Sequence, residues 1–122
     1  LSEQITHANA SKLRCRILAE GANGPTTLEA DRILTDKGVF IIPDILANSG
    51  GVIVSYFEWV QDVQRFFWKA KDIQDRLQDI ITSAFHRTLQ FSVEKRTTLR
   101  MAALMSGIDK AAQAHLQRGL YP

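Results

Sequence analysis

The chain has 122 residues, 45% apolar and 23% charged, with a net charge of +2 and one cysteine. That size and balance fit one soluble globular domain with one core, and so small a charge gives no field with which to hold nucleic acid or a membrane surface. A single thiol excludes a disulfide framework and fits a reducing compartment, the cytoplasm; no apolar run reaches span length, and the opening LSEQITHANA lacks the parts of a signal peptide.

Residues 3–13 have the pattern of a short helix. CRILA, residues 15–19, is short and almost continuously apolar, which predicts a strand covered on both faces, with Cys15 a small core residue. The loop EGANGP follows. Thr26 with Glu29 fits a capping box, so a helix is expected to start near Thr27, with Ala30, Ile33 and Leu34 as its apolar stripe. Lys37 falls in its last turn and Gly38 just past its end, where a left-handed residue is common. VFII, 39–42, predicts a second buried strand stopped by Pro43. Strand, helix and strand within about thirty residues form a βαβ unit with parallel strands and a right-handed crossover.

DILANSGG is a second polar, glycine-bearing turn, leading into VIVSYFEWVQ, 52–61. Its β-branched residues would suit a strand, but its length and its start from a polar loop favour a buried helix, in which Glu58 needs a buried partner. Residues 69–92 place Ala70, Ile73, Leu77, Ile80, Ile81 and Ala84 at helical spacing. Residues 97–117 do so again with Leu99, Ala102, Met105, Ile108, Ala112 and Leu116, and Gly119 and Pro122 end that helix. The fold class is α/β: two parallel strands of a doubly wound, Rossmann-like sheet, then long C-terminal helices. Two strands do not complete such a sheet. With the missing initiator Met, this implies a piece of a longer chain.

Ligands of open α/β sheets bind at the C-terminal edge of the strands, which is where both polar loops belong. Each loop offers asparagine, a neutral donor and acceptor, and glycine, which lets a ligand reach the backbone. No G-x-G-x-x-G phosphate loop occurs. On a helix, Asn48, Val52, Ser55 and Trp59 share one stripe, which sets an amide, a methyl wall and a hydroxyl in order for a small polar ligand with an aliphatic middle. The plainer alternative is that Asn48 caps the helix and Ser55 bonds back to a carbonyl one turn earlier. His7, His86 and His115 read as surface side chains, and RFFWK, 65–69, as a packing corner between helices.

AEGANGPTTLEAD, VFIIPDILANSGGVIVSYFEWVQ and the closing helices resemble the C-terminal part of the glutamate dehydrogenases, within the Glu/Leu/Phe/Val dehydrogenase family. The likeness is dense from Leu18 to Gln61 and looser beyond. It implies that residues 1–62 are the last part of a dinucleotide-binding domain and that 63–122 are helices packing back toward a substrate domain. It implies NAD or NADP as cofactor, with Gly21, Ala22, Asn23 and Asn48 near the nicotinamide and its ribose. Asn48, Val52 and Ser55 would meet the substrate amino group, side chain and distal carboxylate, and Ser55 favours glutamate over apolar amino acids.

The family's reaction is oxidative deamination of L-glutamate to 2-oxoglutarate and ammonia: hydride leaves the substrate Cα and water attacks the imine. Its catalytic lysine and aspartate lie upstream, so no residue here is catalytic, no metal is implied, and the isolated chain should be inert. Its members are typically hexameric, which implies a homo-oligomer. The alternative function is a stand-alone helical protein-interaction module.

Overall fold

The computed structural model describes residues 2–119; Pro122, expected to help end the last helix, lies outside them. In chain order the elements are α1 (His7–Ala10), β1 (Ile17–Ala19), α2 (Leu28–Asp36), β2 (Phe40–Ile42), α3 (Asp44–Ala47), α4 (Gly50–Gln64), α5 (Ala70–Lys95) and α6 (Leu99–Arg118). β1 and β2 pair in parallel, Ile17 opposite Phe40, Leu18 opposite Ile41 and Ala19 opposite Ile42. The strand–helix–strand unit is therefore present, with both strands shorter than the apolar runs that contain them.

Side chains alternate along a strand, so Leu18 and Ile41 share one face. That face meets α1 and α2 in a core of Ala10, Ala30, Leu34, Val39 and Ile41, flanked by Ile5, Leu13, Leu18 and Ile33. The other face is only partly covered. α6 packs on β2, while Ile17 on β1 stays 61% exposed. β1 is thus not covered on both faces, and Cys15, in the loop before it, is exposed rather than a core residue. An apolar run reports that a strand is built for burial; the described two-strand sheet has too few neighbours to bury this one.

The first helix is shorter than the pattern of residues 3–13. Glu3 N–H donates to Gly24 O and Ile5 N–H to Pro25 O, both at 2.8 Å, which ties this segment beside residues 24–27 and keeps it out of a helix. Ile5 and Thr26 form a parallel bridge. That bridge also moves the start of α2. Thr26 is held extended, with its hydroxyl buried and unpartnered among the described residues. Thr27 is the N-cap, its Oγ1 accepting from Ala30 N–H at 3.3 Å, so the expected box of Thr26 and Glu29 does not form. At the other end, Lys37 is the C-cap and Gly38 takes the left-handed φ of 74° that its place calls for.

α4 is a helix, as its length argued, but it is not buried. Phe57 and Gln61 are inside, while Val52, Tyr56, Trp59 and Val63 stand exposed. Glu58 is exposed too and needs no buried partner. In the turn to α5, Trp68 packs edge-on against Phe57, receives Arg76 over its ring at 4.5 Å, and donates its backbone N–H to Gln61 Oε1 at 2.7 Å. Phe66 joins that corner through its backbone, its N–H donating to Gln61 O at 3.2 Å, but the Phe66 and Phe67 side chains lie on the surface. α5 and α6 form a helical hairpin through the short Arg96–Thr98 connection. Only the first turns of α6 are inside: Leu99 and Ala102 are buried, whereas Ile108 and Leu116 of the same stripe are exposed. His7, His86 and His115 are surface residues.

Candidate functional site

The C-terminal ends of the two strands carry the two polar loops side by side. After β1 the chain runs through Glu20, Gly21, Ala22 and Asn23 to Gly24, which turns with a φ of 54°. After β2, Pro43 caps the single turn of α3, and Asn48 is the C-cap of that turn. Asn48 donates from Nδ2 to Asn23 Oδ1 at 2.6 Å. Two amides 25 residues apart are thereby set in one place.

This bond uses one group of each amide. Among the described residues, Nδ2 of Asn23 and Oδ1 of Asn48 have no partner. The pair therefore offers a free NH2 group and a free carbonyl oxygen, both neutral, at the strand edge. A Cβ built on Gly21 would meet nothing within 4 Å, so the backbone beside the pair is open to approach.

Asn48 does not cap α4. Ser49 stands at that N-cap, and its hydroxyl donates back to Leu46 O at 2.9 Å. Nor does Ser55 bond to a carbonyl among the described residues, and its side chain is exposed, as is that of Val52 at 69%. The plainer reading of the Asn48 and Ser55 positions is thus not what the structure shows. Asn48 sits where α3 gives way to α4, and Val52 and Ser55 follow on consecutive turns of α4.

Beneath the loops lies a charged cluster that sequence reasoning missed. Arg100, in the first turn of α6, donates from Nη2 to Glu20 Oε1 at 2.7 Å and to Asp31 Oδ1 at 2.9 Å, and from Nε to the same Asp31 oxygen at 3.0 Å. Asp44 Oδ1 lies 3.6 Å from its Nη1. The Glu20 side chain is wholly buried. Its second oxygen accepts from Asp44 N–H at 3.0 Å, and Asp44 Oδ2 accepts from Gly24 N–H at 2.8 Å.

Burial opposes the charge on Arg100, but the hydrogen bonds and charges of Glu20 and Asp31 outweigh it and hold the guanidinium above the ordinary arginine value. Three carboxylates face one guanidinium, and the excess negative charge is met by backbone N–H groups. Asp31 and Asp44 both stand in the first turn of a helix, where negative charge is favoured. The sequence signal was faint: Glu20 closes a strand run with no basic residue in the loop after it, and its partner is 80 residues away.

Among the described residues no group of three or more His, Cys, Asp or Glu side chains is placed to hold a metal ion, and no helix is long and apolar enough to cross a membrane.

Known proteins share this fold. Residues 1–119 match the family described as Glutamate/Leucine/Phenylalanine/Valine dehydrogenase. The chain is 46% identical over 121 residues to a glutamate dehydrogenase of Thermotoga maritima, covering 98% of this chain and 29% of that protein. It is 44% identical over 119 residues to a catabolic NAD-specific glutamate dehydrogenase of Bacillus subtilis, covering 98% of this chain and 28% of that one. It superposes on the crystal structure of glutamate dehydrogenase from Peptoniphilus asaccharolyticus with a TM-score of 0.93 at 37% identity, covering 99% of this chain and 31% of the other. The chain thus spans less than a third of the length of the relatives it matches. With its parallel strand pair, paired asparagine loops and helical hairpin, this chain belongs to the Glutamate/Leucine/Phenylalanine/Valine dehydrogenase family.

Proposed function

We propose that this chain forms one wall of the active site of an NAD(P)-dependent glutamate dehydrogenase, which oxidatively deaminates L-glutamate to 2-oxoglutarate and ammonia. The observation that carries the reading is the 2.6 Å bond between Asn48 and Asn23 at the strand edge. It leaves a free donor on Asn23, suited to a ribose hydroxyl or a carboxamide oxygen. It leaves a free acceptor on Asn48, suited to the substrate ammonium group. Gly21 and Ala22 let the cofactor lie against the backbone. Val52 then lines the aliphatic part of the substrate and Ser55 donates to its distal carboxylate. These open, uncharged groups fit a nicotinamide and its ribose, which supply hydride acceptance when bound.

The wall itself orients and holds. It carries no proton-transfer group, which assigns the acid–base steps to residues outside this chain. Residues 1–62 belong, in this proposal, to the dinucleotide-binding domain, and 63–122 pack back toward the substrate domain. The exposed apolar faces of α4 and α6 suit a chain that is covered by further parts of its own protein and by other subunits of a homo-oligomer. The single cysteine fits the reducing cytoplasm. Membership of a dehydrogenase family supports this reading over a free-standing interaction module.

Kinetics of Ser55→Ala in the full-length protein test the proposal. A hydroxyl bonded to a carboxylate contributes about 1.5–3 kcal/mol, so glutamate KM is expected to rise roughly tenfold or more with the cofactor Kd unchanged. Equal losses for both ligands, or none, would remove Ser55 from the substrate site.

A further inference from the structure

We infer that Arg100 is a positioning residue for the two-loop wall: through buried Glu20 it fixes the roots of both asparagine loops and so sets the distance between Asn23 and Asn48. The inference rests on the function proposed above, since it assigns a residue to that same site.

The connection runs atom by atom. Arg100 holds Glu20 by Oε1. The free oxygen of Glu20 takes the N–H of Asp44, the first residue of α3, the turn that Asn48 caps. The Asp44 carboxylate takes the N–H of Gly24, next in sequence to Asn23. One end of this path therefore sits beside each amide. Asp44 also lies 3.6 Å from the guanidinium, which closes the path on itself. The Glu20 side chain is wholly buried and those of Arg100 and Asp44 are mostly so, which suits a frame behind the loops. Without the guanidinium, Glu20 would be a buried carboxylate held by one N–H. It would draw water or move, and Asp44 and Gly24 would move with it.

Asp31 provides the contrast. It takes two hydrogen bonds from Arg100, and its carboxylate makes none with Glu20 or either loop among the described residues. It anchors Arg100 to α2. Loss of Asp31 should lower stability and leave the loops in register. Loss of Arg100 or of the Glu20 charge should disturb the loops.

The test compares full-length wild type, Arg100→Met, Glu20→Gln and Asp31→Ala, with thermal unfolding and the Kd for the reduced nicotinamide cofactor, read by its fluorescence. The expected result is a lower Tm in all three variants, but a cofactor Kd raised about tenfold only in Arg100→Met and Glu20→Gln, the equivalent of one or two hydrogen bonds. The Arg100→Met and Glu20→Gln losses should not add in the double variant, and Arg100→Lys should restore most of the affinity. If Arg100→Met does not fold, Glu20→Gln decides. Wild-type affinity in folded Arg100→Met or Glu20→Gln overturns the inference, and so does an equal loss in Asp31→Ala, which would make the cluster merely structural. Failure of wild type to bind the cofactor would instead overturn the proposed function and the inference with it.

Discussion

Arg100 Nη2 lies 2.7 Å from Glu20 Oε1, joining the last helix to the end of the first strand across 80 residues. Glu20 is fully buried at its side chain, so its carboxylate depends on this partner. Truncating one partner of a buried ion pair costs about 3–5 kcal/mol, because the remaining charge is left uncompensated. Arg100→Met is expected to lower the unfolding free energy obtained from urea titration by an amount in that range. The guanidinium is held above its ordinary value, so its stabilising contribution is fully present below that value and is lost only at higher pH. The gap between wild type and variant should therefore stay constant from about pH 7 to pH 10, as repeated urea titrations would show.

Thr26 and Thr27 predict opposite outcomes one residue apart. Thr27→Ala removes the N-cap of α2 and should cost about 1 kcal/mol. Thr26→Val replaces a buried hydroxyl without a partner by a methyl group of similar shape, and should be neutral or stabilising. Thermal unfolding of the two variants checks both. Equal losses would put the helix start back at Thr26.

Arg65 and Arg96 end α4 and α5 in the left-handed region, with φ of 53° and 49°. Such a conformation costs a side-chain-bearing residue roughly 1–2 kcal/mol, partly offset by the larger entropy of unfolded glycine. Arg65→Gly and Arg96→Gly should each stabilise the full-length protein by about 0.5–1 kcal/mol in chemical denaturation. Loss of stability on either change would mean that the arginine side chain makes a contact worth more than the strain.

Asn23→Ala removes the acceptor that holds Asn48 Nδ2. A net hydrogen bond is worth about 0.5–1.5 kcal/mol, so both the cofactor Kd and the glutamate KM of the full-length enzyme should rise roughly three- to tenfold. A change in one ligand alone would separate the two asparagines functionally.

Expressed alone, the 122 residues should self-associate. Val52, Tyr56, Trp59, Val63, Phe66 and Phe67 form an exposed apolar stretch along α4 and the turn after it, and the strand pair has open edges. Small-angle scattering should report a mass above that of the monomer. A monodisperse monomer that binds no hydrophobic dye would contradict this.

Local patterns carried most of the fold. The periodicity of Ala70 to Ala84 and of Leu99 to Leu116 marked the long helices, and Gly38 marked the end of α2. Burial was harder to read. Cys15, Ile17 and Val52 have the apolar surroundings of a core, yet their cover is not made by the described residues. The cap of α2 slipped by one because Ile5, from another segment, holds Thr26 extended, and no local rule contains that bridge. The Asn23 and Asn48 loops were legible because strand ends have a fixed place in a parallel sheet. The Arg100 cluster was not, since a pair separated by 80 residues leaves no spacing to recognise.

The order of synthesis gives that long separation a meaning. Glu20 leaves the ribosome well before its counter-charge on α6, and until Arg100 arrives the carboxylate is better off hydrated than enclosed. While it stays in water, its bond to the Asp44 N–H is not made. Docking of the α5–α6 hairpin then supplies the counter-charge of Glu20, so a nascent chain stalled before residue 100 would own both asparagines and lack the frame proposed to align them.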